Sequence, residues 1–203
     1  LIGFADGIGS LIAILFWFYM AVVLSPEEYG NIFYYLGIVG IISYFTIIGG
    51  QNAITVYTAK NINIQRTFYL LSLLFSSIAV IVIVSIFQRI DIALILLGFI
   101  ISNLSISYLL GKKLFQKYFI QTLLQKSLLI TLGIGFFYIF GTDGILYAIG
   151  ISYLGYTKIL YDSFKTSKKD FKFFREHFGF IINDYFMGII NVGRSQIDKL
   201  IIA

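Results

Sequence analysis

The sequence predicts an all-α fold, a polytopic membrane helix bundle, and three observations carry that expectation. Hydrophobic residues make up 59% of the 203 and charged residues 12%, whereas an ordinary globular domain carries roughly a quarter charged residues. Apolar runs long enough for a membrane helix, about 20 residues, recur along the chain. The polar breaks between them alternate between basic and acidic composition. The runs are too long and too uniformly apolar for barrel strands. Without cysteine there is no disulfide framework or thiolate metal site, and the single His177 rules out a histidine-rich one. No metal or other cofactor is expected.

The first run, Leu1–Leu24, lacks the basic leader and small-residue cleavage site of a signal peptide, so it is expected to stay as a membrane helix. Leu1 in place of methionine and the uncapped ending DKLIIA read as cut ends. The stretch LSPEEYG closes the first run. Ser25 and Pro26 suit an N-cap and first turn, and Glu27 and Glu28 fall where a helix N-terminus favours anions. Adjacent helical residues diverge by about 100°, so these two carboxylates cannot flank one bond as a catalytic pair.

The second run, Asn31–Tyr57, holds the pair Gly49 and Gly50, which can open the helix ahead of Gln51 and Asn52. Those two side chains suit interhelical glue or cavity lining equally. Phe68–Phe87 and Ile92–Gly111 follow, then Phe119–Phe140, Ile145–Phe164 and a seventh run from Phe178. Asn103 and Ser107 in the fourth, like Gln121 and Gln125 in the fifth, have the spacing of interhelical hydrogen-bond sites. Lys126 is read as snorkelling to the interface.

Basic residues fall after the second, fourth and sixth runs: Lys60 and Arg66; Lys112, Lys113 and Lys117; Lys165, Lys168, Lys169, Lys172 and Arg175. The other breaks hold Glu27, Glu28, Asp91 and Asp143, with Arg89 as their only cation. Lys and Arg are retained on the cytoplasmic side, so the N-terminal end is expected to be cytoplasmic in a multi-pass protein of the cell membrane. The stretch from Lys165 to Arg175, interleaved with Phe171, Phe173 and Phe174, suits contact with anionic membrane lipids. Nucleic acid is not an expected partner, and no phosphate-cradling motif occurs in a strand-turn-helix setting.

The seventh run carries the densest intramembrane polarity. Asp184, Gly188, Asn191, Ser195 and Asp198 are spaced four, three, four and three apart and form one helical stripe. Arg194 can pair with Asp198, and Lys199 lies beside them. Such a face must turn toward protein or water. Asn191, Arg194, Asp198 and Lys199, together with Asp184, Gln51 and Asn52, are therefore candidate cavity residues, against the alternative of a neutralised packing seam. Asp6, in GFADGIGS, is a candidate for ion coupling, with a plain interfacial residue as the alternative.

Three motifs give the chain a family resemblance. LSPEEYG resembles the LGPEEYG that follows the first helix of polysaccharide-export flippases; IIGGQNAITVYTAK resembles the end of their second helix, and SQIDKLIIA their seventh. The resemblance implies two pseudo-symmetric helical lobes rocking around a central cavity, of which residues 1–177 form the first six-helix lobe with its basic linker. Residues 178–203 begin the second. It also implies transport of lipid-linked oligosaccharide, glycan assembly enzymes as neighbours, and no catalytic residues. A membrane glycosyltransferase or glycan polymerase is the rival class, but SPEEYG, QRID and GTDG are too short to build a two-substrate pocket. A cation-coupled drug exporter of the same superfamily is the other rival, and it would rely on Asp6.

Overall fold

The computed structural model describes residues 1–48 and 50–202, with side chains described as far as Ile190. Among the described residues the chain is 89% helix and contains no strand. It runs α1 (Ile2–Val23), α2 (Pro26–Thr46), α3 (Gly50–Ala59), α4 (Gln65–Phe87), α5 (Ile90–Gly111), α6 (Phe115–Phe140) and α7 (Thr142–Ser152). A 3-10 turn at Tyr153–Tyr156 leads to α8 (Thr157–Thr166), α9 (Phe171–Glu176) and α10 (Phe178–Ile202). Four helices, α1, α4, α5 and α6, are long and apolar enough to cross a membrane, and α2 with α3 makes a fifth if that bent pair is one span. These helices are compatible with a multi-pass membrane protein.

Burial makes α5 the central pillar. In its most apolar stretch 61% of residues are buried, against 17% in α1, α4 and α6. The outer faces of those three helices expose Phe4, Leu11, Phe18, Ile78, Ile81 and Ile139. An apolar surface of that extent is at home in lipid rather than water. Small residues bring α7 and the 3-10 turn after it against the pillar: a Cβ on Gly150 would sit 2.7 Å from Leu94 Cγ, and one on Gly98 would sit 2.9 Å from Tyr153 Cβ. Only glycine permits that approach.

The expected second run is divided, as its glycine pair allows. α2 and α3 meet at 49°. The expected sixth run is also divided, which its apolar pattern does not announce. Gly150 and Gly155 weaken helix propensity there, and the sequence narrows to a 3-10 turn. The Tyr156 carbonyl at that turn accepts the Ser105 hydroxyl at 3.1 Å. Beyond it α8 carries Lys158, Asp162 and Lys165 and is not apolar enough to extend a span.

The loops segregate to two ends, in keeping with the alternation of basic and acidic breaks. At the basic end Lys112 Nζ donates to Asn63 Oδ1 at 3.1 Å, and the Lys168 and Asp170 amides donate to the Asn63 carbonyl and the Thr67 hydroxyl at 2.6 and 2.8 Å. Two of the three linker phenylalanines are half-buried against the bundle. Phe173 meets Tyr57 at 5.2 Å and Phe174 meets Phe68 at 5.6 Å. Phe171 alone stays outside, under Lys169 Nζ at 5.1 Å.

Candidate functional site

Three clusters of polar side chains differ in whether the protein itself satisfies them. At the acidic end they are matched. Ser25 Oγ accepts the Glu28 amide at 3.3 Å while the Ser25 amide donates to Glu28 Oε2 at 2.9 Å, so LSPEEYG forms a reciprocal capping box. The other Glu28 oxygen accepts the Thr142 hydroxyl at 2.8 Å. Arg89 donates to Asp91 at 2.6 Å and to Asp143, and its guanidinium lies 5.2 Å from the Tyr35 ring. Its pKa is raised, chiefly by the hydrogen bond to Asp91; partial burial opposes the shift and Asp143 adds to it. Three turns of the chain are thus stapled together.

The second place is the break between α2 and α3. A broken helix strands carbonyls at one end and amides at the other. Two consecutive residues of α10 meet both. Asp184 accepts the Ala53 amide at 3.1 Å and the Asn52 side chain at 3.2 Å, and the Tyr185 hydroxyl donates to the Phe45 carbonyl at 3.0 Å. A carboxylate at the start of α3 also suits the helix dipole. Gln51, Asn52, Asp184 and Gly188 line a small space here of about 190 Å³. The structure therefore brings together three of the candidate cavity residues, and the described part of the α10 stripe faces protein. Asn191, Arg194, Asp198 and Lys199 lie outside the described side chains.

The third place is a larger cavity of about 480 Å³, walled by α1, α2, α5, α6 and the 3-10 turn. Its lining comes from the start of α1 and α6 and the later halves of α2 and α5, so it occupies the basic half of the bundle. Asp6, the ion-coupling candidate, lines it and accepts a short hydrogen bond from the Tyr118 hydroxyl. Asn103, Ser43 and Ser102 contribute further polar groups, and Phe99 and Tyr153 meet edge to face at 5.1 Å. Gln125 lines the cavity and donates to Ser152 at 3.0 Å, an interhelical bond of the kind its spacing suggests.

Lys126 is the cation of the cavity. Its stem crosses Gly9 of α1, where a Cβ would meet its Cγ at 3.6 Å, and the residue lines the cavity. It lies eleven residues beyond Phe115, the first of α6, or roughly 16 Å along the axis at 1.5 Å per residue. Among the described residues it forms no ion pair. Tyr118, Thr122 and Gln125, spaced four and three apart on α6, form a stripe like that of α10, but the abundance of tyrosine and threonine in apolar company hides it. Counting hydroxyls as polar would have revealed the cavity wall.

Comparison of the chain with protein-family models, curated proteins and solved structures returns no match. The site rests on its own geometry: a polar, lysine-bearing cavity inside a helical bundle clad in apolar side chains.

Proposed function

We propose that this chain is part of a membrane flippase that moves lipid-linked oligosaccharide across the cytoplasmic membrane by alternating access of two helical lobes. The observation that supports the reading is the cavity of about 480 Å³ with Lys126, eleven residues into a helix long and apolar enough to cross a membrane, in its wall. A lysine there is costly to insert, by roughly 2.5 to 3.5 kcal/mol, and such residues mark polar pathways. A sugar headgroup cannot cross hydrocarbon unaided, because each unpaired hydroxyl carries a desolvation cost. Hydroxyls and amides in the cavity replace its water, while the lipid tail remains in the bilayer. The sequence resemblance of LSPEEYG and SQIDKLIIA points the same way.

The intact protein, reconstituted in vesicles with a fluorescent polyprenyl-pyrophosphate oligosaccharide, is expected to carry the headgroup across the bilayer. Translocation no faster than in protein-free vesicles would remove the proposal. A second reading, cation-coupled export of amphiphiles, is favoured by Asp6 in the cavity wall. It predicts that Asp6→Asn abolishes gradient-driven export of a drug-like cation and leaves glycan movement absent with or without the substitution.

A further inference from the structure

One face of α8 carries charge that the protein does not use. Leu154, in the 3-10 turn before it, and Lys158, Tyr161 and Lys165 are spaced four, three and four apart, and all four are exposed. The opposite face ties the helix to the bundle: the buried Ser163 hydroxyl lies 2.7 Å from the Tyr69 hydroxyl of α4. The stripe is thus held in a fixed orientation, and among the described residues no element covers it. It runs toward the basic end, where the Lys168 amide donates to the Asn63 carbonyl at 2.6 Å.

From Lys158 to Glu176 the chain has six cations and three carboxylates, and few of them meet. Lys172 and Glu176 form an ion pair at 4.0 Å. Asp170 is engaged as the N-cap of α9, accepting the Phe173 amide at 2.9 Å, and Asp162 comes within ion-pair distance of neither Lys158 nor Lys165. Arg66 of α4 adds a cation at the edge of the stripe. Its guanidinium lies 4.6 Å from the ring of Phe164, a surface neighbour of Tyr161, and with no carboxylate in ion-pair distance its charge adds to the stripe. Retention of cations on one side of a membrane needs only their number. It does not need them on one face of an ordered helix, with a leucine ahead of them and a tyrosine between. That order suits a headgroup layer, where apolar stems and rings lie along lipid and ammonium groups reach phosphate. The apolar sides of the bundle are at home in lipid, so the phosphates of that bilayer are the nearest anions to a helix at its basic end. We infer that this face of α8 binds the phosphodiester headgroups of anionic phospholipids, with Lys158 and Lys165 meeting phosphate and Tyr161 lying between them. The inference goes beyond the flippase reading and does not depend on it.

Because the sequence has no cysteine, a fluorophore on one introduced thiol, Thr157→Cys at the exposed start of α8, reports on the lipid beside the stripe. The intact protein in phosphatidylcholine nanodiscs receives phosphatidylglycerol or phosphatidylcholine, each with the same spin label on its acyl chain near the glycerol and at equal mole fraction. Quenching should show the phosphatidylglycerol probe associating at least about fivefold more strongly, the effect of roughly one cation at a membrane surface. Lys158→Gln with Lys165→Gln should bring the two probes to parity. Lys172→Gln with Arg175→Gln, on the linker, should leave the preference in place, and both variants should give undiminished yields of folded protein. Parity in the parent, a preference that survives the α8 double substitution, or an equal loss in the linker variant overturns the inference. Displacement of the probe by an equimolar amount of polyprenyl pyrophosphate would make this face a dock for the transported lipid and overturns it too. Translocation enters none of these outcomes, so the flippase reading fails or stands separately.

Discussion

The acidic end of the bundle and the cavity at its basic half solve the same problem in opposite ways. Around Arg89 and Glu28 the charges and caps meet partners from two or three elements, and three connecting turns are tied together. Around Lys126, a cation lines a polar cavity and forms no ion pair among the described residues. Unsatisfied polar groups cost stability, so a fold keeps them only where something else completes them. The break between α2 and α3 resembles the first region: its stranded amide and carbonyl are both met by α10. Internally matched polarity supports the architecture, whereas the cavity presents an unpaired cation to open space.

Substitutions in the matched regions should therefore lower stability, and those in the cavity should not. The largest expected effect is from Arg89→Ala. It strands Asp91, whose side chain is 3% exposed, while Arg89 itself is 29% exposed. Breaking a fully buried pair costs about 3 to 5 kcal/mol, and partial exposure lowers the expected loss to roughly 2 to 3 kcal/mol in unfolding of the purified protein in detergent. Asp184→Ala should cost roughly 1 to 2 kcal/mol and speed hydrogen exchange at the Ala53 amide, whose acceptor it removes. Exchange at Ala53 as slow as in the parent would show that α3 does not depend on α10 for its cap.

Smaller effects sharpen the contrast. Ser25→Ala removes one half of the capping box and should cost about 1 kcal/mol. Lys126→Met keeps the stem and removes the charge, so its unfolding free energy should stay within about 0.5 kcal/mol of the parent or rise slightly. A loss comparable to that of Arg89→Ala would place Lys126 among the structural residues and dissolve the distinction between the two regions.

What the sequence discloses depends on how far apart the cooperating residues lie. The capping box is legible because Ser25 and Glu28 are three residues apart and the chemistry is local. The break in the second run is legible from its glycines, but its partner is not, since Asp184 reaches Asn52 across 132 residues. The helical character and the central runs follow from hydrophobic length alone. The division of the sixth run does not, because apolar residues pack equally well on either side of the 3-10 turn. The cavity is the least legible feature: Asp6, Ser43, Asn103 and Lys126 come from four helices, and each taken singly suits an interface or a packing contact.

Solvent access to the cavity tests the account most directly. Asn103→Cys on the cavity wall and Ile81→Cys on the exposed outer face of α4 are compared for labelling by an impermeant thiol reagent, with the intact protein in vesicles. The account predicts rapid modification of the Asn103 position from one side of the membrane and almost none at Ile81. Equal, slow modification at both would mean that the space beside Lys126 is dry, and a dry cavity contradicts a pathway for a hydrated headgroup.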